Sequence, residues 1–144
     1  MSKVILAGTL GVLMFFGTGC PKDNVQKVAL ASRDFAAGLE TTQALVESLG
    51  RAEMLSKEEE LKLQHGLVKL GKVGLEFNSA VRDSQGKDIP EIISRAISAV
   101  EWMDREGVLP VKNPEARGAL RVAFATAKTA LSIITTVFPP KGGN

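Results

Sequence analysis

"SKEEELKLQHGLVKLGKVGLEFNSAVR", Ser56 to Arg82, decides the fold class. Its apolar positions are Leu63, Leu67, Leu70, Gly74, Phe77 and Val81, separated by steps of 4, 3, 4, 3 and 4. A mean step of 3.5 residues holds one stripe on one face of an α-helix, whereas a strand would need alternation every second residue. The start of the segment is written in the same residues. Ser56 followed three positions later by Glu59 is a capping box. Glu58, Glu59 and Glu60 put negative charge in the first turn, where the helix dipole favours it. At the other end, Arg82 to Asp88 reads as a polar turn.

The same spacing recurs three more times. Val28, Ser32, Phe35, Leu39, Thr42, Val46 and Leu49 form the first stripe. Ile89, Ile93, Ala96 or Ile97, Val100 and Met103 form the third, and Leu120, Phe124, Ala127, Leu131, Ile134 and Phe138 the fourth. The expected fold is therefore all-α: an antiparallel up-down-up-down four-helix bundle with helices over 25–49, 56–82, 89–106 and 114–138. A three-helix core with a loosely docked first helix is the alternative. The expected boundaries follow capping chemistry. Asp23 or Asn24 caps the first helix and Gly50 stops it; Asp88 caps the third, with Pro90 in its first turn, and Gly107 ends it. Asn113 followed by Pro114 opens the fourth, and residues 139–144 form a flexible tail. The third helix is short by roughly 10 Å, a gap that "GVLPVKNP" would cross as extended chain.

Composition narrows the function classes. The 144 residues carry 18 basic and 16 acidic side chains, dispersed along the chain, so no basic patch speaks for nucleic acid. Aromatic residues are few, with no Tyr and one Trp, which argues against a base-stacking surface. A single Cys excludes an internal disulfide framework.

That cysteine has a particular address. "MSKVILAGTLGVLMFFGTG", Met1 to Gly19, has one basic residue, Lys3, then sixteen residues without charge. A short basic start, an apolar run and small residues make an export signal, and the run is short of the roughly twenty residues a permanent span needs. "Gly17-Thr18-Gly19-Cys20" resembles the lipobox of bacterial lipoproteins, although Gly17 stands where that class usually has Leu. The resemblance covers about twenty residues. It implies that residues 1–19 are a lipoprotein-type signal peptide, that Cys20 carries the lipid, and that residues 20–24 form a short tether to a bundle over 25–138. Pro21, rather than Asp, after the cysteine implies an outer-membrane location facing the periplasm by similarity to enterobacterial lipoproteins. The alternatives are a retained anchor helix at 4–19 or ordinary cleavage after Gly19. No run beyond residue 20 is expected to span a bilayer.

Signals for chemistry are sparse. His65 is the only histidine, the Glu-x-x-His spacing of di-iron bundles is absent, and no Cys-x-x-Cys-His offers haem attachment. No catalytic residue, metal site or cofactor is expected. Gly66, Gly71 and Gly74 interrupt the second helix, and Gly74 would admit a close neighbour such as Phe35 or Phe124. Two connections at the end opposite the tether, Gly50–Leu55 and Gly107–Asn113, carry Met54, Leu55, Val108, Leu109 and Val111. They either present a contact surface or fold back to plug the bundle. The expectation is a contact surface made by these five and Trp102. The expected function is a non-catalytic, lipid-anchored binding or structural module of the bacterial cell envelope, held in the membrane through Cys20 and acting on a protein partner. The alternative is an envelope inhibitor or immunity-type protein that docks its partner through the membrane-distal loops.

Overall fold

The structure is a computed structural model that describes residues 22–82 and 88–140. The described residues form four α-helices: α1 (Lys22–Arg51), α2 (Lys57–Arg82), α3 (Ile89–Trp102) and α4 (Pro114–Val137). A π-helical segment, Met103–Val108, continues α3 without a break. No strand occurs among the described residues. The signal segment 1–19, Cys20, Pro21, most of the 82–88 turn and the last four residues lie outside the described residues.

The stripes face inward as spaced. Every residue of the first stripe, from Val28 to Leu49, is buried, including Ser32 and Thr42. Leu63, Leu67, Leu70, Gly74 and Phe77 are buried on α2, while Val81 is half-buried. On α3 the inward position is Ala96, with Ile97 half-buried beside it. The core has two parts. One, toward the α1–α2 connection, joins Val46, Leu55, Leu63, Met103, Val108, Val111, Leu120 and Phe124. The other joins Val28, Phe77, Ile89, Ile93 and Ile134 near the start of α1 and the end of α4. Val28 meeting Ile134 while Gly38 meets Ala127 makes α1 and α4 antiparallel. This pair shares the most extensive helix contact in the bundle.

Gly38 explains how close that contact is. A Cβ built there would stand 2.6 Å from the backbone nitrogen of Ala127. The two backbones therefore touch at a point where only glycine fits. Gly66 instead makes room for side chains: a Cβ there would stand 2.5 Å from the Met103 sulfur and 3.1 Å from the Trp102 ring. Gly74 lines a small, partly open cavity with Phe35.

Helix ends follow capping rules, with corrections. Ser56 and Glu59 form the reciprocal capping box: the Ser56 N–H donates to the Glu59 carboxylate at 2.8 Å, and the Glu59 N–H donates to the Ser56 hydroxyl at 3.1 Å. Asn113 accepts from the N–H groups of Glu115 and Ala116, both at 3.0 Å. Asp23 and Asn24 do not cap α1; they lie within a helix that already includes Lys22, so the expected tether over 20–24 is at most partly free chain. Gly50 does not end α1 either. The helix runs to Arg51 and closes in a Schellman motif: the Met54 N–H donates to the Leu49 carbonyl, the Glu53 N–H donates to the Gly50 carbonyl, and Glu53 takes the left-handed position at φ 58°. A Cβ at Gly50 would stand 2.9 Å from the Glu60 carboxylate, the movable end of a flexible side chain. Asp88 precedes α3 but its side chain makes no cap hydrogen bond.

The third helix starts at the expected Ile89 and, π-helical turn included, remains the shortest of the four, ending at Val108 rather than 106. The π-helical turn carries it through Gly107, where a Cβ would crowd the Met103 sulfur at 3.2 Å and Leu63 at 3.3 Å. The wider turn brings Met103 and Val108 into the core together. By length and composition alone α4 could cross a bilayer, a test that the core helix of a bundle also passes. Its inward face, Leu120, Phe124, Ala127, Leu131 and Ile134, is occupied as the core of the bundle.

Candidate functional site

The expected contact surface at the α1–α2 and α3–α4 connections is for the most part interior. Leu55, Val108 and Val111 are buried, with Val111 fully so. Met54 packs on the same cluster, as the apolar partner of Leu49 in the Schellman motif. The physical reason is that four helices leave an open end, and short apolar connections lower the free energy by folding into it. Among these side chains only Leu109 stands out in solvent, at 61 % exposure.

The two connections are joined by one carboxylate. Glu59 accepts from Ser56 with one oxygen and from the Lys112 N–H with the other, at 2.8 Å, across 53 residues of chain. Partial burial would raise its pKa. The backbone N–H groups of Ser56 and Lys112, the Ser56 hydroxyl and the Lys112 charge outweigh that and hold it below the ordinary glutamate value. Arg117 adds a hydrogen bond to the Val111 carbonyl at 3.0 Å.

Trp102, the sixth expected contact residue, remains half-exposed and sits on a different surface. It closes one end of a groove between α2 and α3 with a volume of about 440 Å³, lined by Lys69, Lys72, Glu76, Arg95, Ser98 and Trp102, with Val73 and Ala99 on its floor. Helical spacing makes this surface: 69, 72 and 76 share one face of α2, and 95, 98, 99 and 102 one face of α3. The indole is held from three sides. Gly66 lets it lie close to α2, His65 meets it edge-on with centroids 5.7 Å apart, and the Lys69 ammonium lies 4.8 Å from its ring centroid. Arg95 and Glu76 pair across the groove at 2.6 Å. Lys72 has no ion-pair partner among the described residues. The groove thus holds three cations against one carboxylate, beside a fixed aromatic surface.

This groove has no nucleophile paired with a base. His65 is an aromatic neighbour of Trp102, and no group of three or more metal-ligating side chains occurs among the described residues. No family model, curated protein or solved structure matches the chain.

Proposed function

We propose that the chain is a non-catalytic, lipid-anchored binding module of the bacterial cell envelope, and that the α2–α3 groove receives an acidic segment of a partner protein. The observation that carries the binding surface is the half-exposed Trp102, fixed by Gly66, His65 and Lys69 beside an unpaired Lys72. A pre-positioned indole loses little conformational freedom on binding, and an excess of cations selects an anionic partner. The anchor rests on the resemblance of Gly17–Cys20 to a lipobox, and each methylene of an acyl chain contributes about 0.8 kcal/mol to membrane retention. For an inhibitor that docks through the distal loops, Leu109 is the exposed apolar side chain on those loops, while Leu55, Val108 and Val111 are inside.

Each half has its own test. Intact mass of membrane-extracted chain should match residues 20–144 plus lipid, and Cys20→Ser should remove the lipid. An unmodified chain beginning at Met1 or Ser2 would refute the anchor. Trp102 is the only tryptophan and no tyrosine is present, so its emission reports the groove directly. A Glu-rich helical peptide should shift that emission, less so at high salt, and Lys69→Glu with Lys72→Glu should abolish the response. An equal response to a Lys-rich peptide, or a response to anionic vesicles with none to the acidic peptide, would refute the proposed partner class.

A further inference from the structure

The α2–α3 groove runs between two ends of different character. At one end the Lys69 ammonium lies 4.8 Å from the centroid of the Trp102 ring. At the other, the Arg95 guanidinium reaches from α3 to the Glu76 carboxylate of α2 at 2.6 Å. Lys69 to Glu76 is two turns of helix, roughly 10 Å at 1.5 Å per residue. Lys72 stands between them. Glu76 is the only carboxylate among the residues that line the groove. One of the three cations that would attract an acidic segment is therefore already held by an acid of the chain itself. The Arg95 and Glu76 side chains are 50 % and 46 % exposed, so an incoming group can reach either one. A charge-assisted pair has good geometry for a carboxylate, but a pair this open to water is held weakly.

We infer that Glu76 occupies the Arg95 end of the groove as an internal stand-in for an acidic side chain of the partner, and that binding exchanges one carboxylate for the other. This rests on the reading of the groove as the site of an acidic segment. The exchange replaces one charge-assisted pair by another, so Arg95 contributes to selection more than to affinity. A ligand with an acid only near Lys69 and Lys72 meets a neutral pair beyond them. A ligand whose acidic groups are spaced to reach both ends, roughly 10 Å apart, displaces Glu76 and gains the third cation. Competition of this kind lowers the apparent affinity by the fraction of time that Arg95 is free. The sign of the effect separates this from a structural pair. A stand-in holds binding back, so its removal helps; a clamp between α2 and α3 supports the groove, so its removal is neutral or harmful.

Titration of the full-length chain in detergent micelles with a Glu-rich helical peptide, followed by Trp102 emission at low salt, tests the exchange. Glu76→Gln should bind the peptide about 3–6-fold more tightly than the wild type, the gain expected from freeing an exposed pair. Glu101→Gln is the control: it removes the same charge from an exposed position beside Trp102 in the chain but outside the groove lining, and should change affinity by less than about twofold. The Arg95 Nε–H signal in an isotope-labelled sample gives a second reading. It should move when peptide is added to the wild type, and in Glu76→Gln it should start elsewhere and reach the same bound position. Equal or weaker binding by Glu76→Gln overturns the exchange, as does an equal gain from Glu101→Gln. A lower melting temperature for Glu76→Gln with no gain in affinity would make the pair a clamp and overturn it too. An Arg95 signal that ignores the peptide while Trp102 responds overturns the exchange and leaves the groove standing on Lys69, Lys72 and Trp102. No Trp102 response in either protein removes the groove reading and the exchange together.

Discussion

Alanine in place of glycine should have opposite effects at two helical positions of this bundle. Gly118 lies on the exposed side of α4, and a Cβ there meets nothing within 4 Å. Gly118→Ala should therefore stabilise by about 0.5–1 kcal/mol, the ordinary gain of alanine over glycine in a helix. Gly38 faces α4 instead, where the same Cβ would stand 2.6 Å from the Ala127 nitrogen and 3.1 Å from both its Cα and Cβ. No rotamer relieves contact with a backbone atom. To reach the roughly 3.4 Å of ordinary contact, α1 and α4 must separate by most of an ångström along the largest interface in the bundle. Overpacking of this kind costs about 1–3 kcal/mol, and here a close backbone contact puts it toward the upper end. The helix-propensity gain offsets about 1 kcal/mol of that. Gly38→Ala should thus destabilise by about 1–2 kcal/mol net. Urea unfolding followed by circular dichroism at 222 nm, with the slope unchanged between variants, measures both values. In thermal scans the difference between the two variants should span about 5–15 °C. A Gly38→Ala variant as stable as Gly118→Ala would show that α1 and α4 do not approach as described.

Three further outcomes are expected. Glu53→Gly should raise stability by about 1 kcal/mol in the same urea assay, because Glu53 holds a left-handed conformation that glycine adopts without strain. Glu59→Gln should cost about 1 kcal/mol at neutral pH by weakening the capping box and the Lys112 bond. Because the folded Glu59 pKa is lowered, its contribution is complete above the unfolded value near 4.5 and is lost as pH falls through the folded one, so the wild-type and Glu59→Gln stabilities should converge below pH 4.5 in a pH series. Val111→Ser should destabilise by about 2–4 kcal/mol by exchanging buried methyl surface for a hydroxyl in an apolar cluster, whereas an unchanged melting temperature would return the connection to the surface.

What the sequence made legible is the part of the fold that depends on local periodicity. The 3–4 spacing of α1 picked out Ser32 and Thr42 as inward positions despite their hydroxyls, because geometry rather than residue type sets the face. The capping box and the Asn113 cap were legible for the same reason: their partners lie within three residues. What was not legible depends on tertiary contact. Gly38 stands one position before the stripe residue Leu39, and its role appears only when Ala127 of α4 is placed against it. The π-helical turn answers to Met103, Gly107 and Leu63 packing together across two helices. Gly50 looks like a stop because glycine usually fills the left-handed position at a helix end, yet here Glu53 fills it. The apolar connections announced their composition but not their direction, and the open end of the bundle drew them in. The groove was legible only through Trp102, since Lys69, Lys72, Glu76 and Arg95 are ordinary surface charges until the register of α2 on α3 gathers them.

The antiparallel contact of α1 with α4 has a mechanical meaning. A turn near the start of α1 and the last turn of α4 share one cluster at one end of the bundle, with Val28 and Ile134 in it. Tension applied between these two turns loads only the nearest pair of contacts. The helices then part like a zip, from Val28 toward Gly38 and Ala127, instead of resisting as one sheared interface. The closest backbone approach sits well inside that path, and the opposite end is fastened by the Glu59 link between the two connections. A bundle pulled through these two turns would yield at low force and stop at that fastened end, whereas one loaded through α1 and the groove on α2–α3 would engage the whole length of its packing.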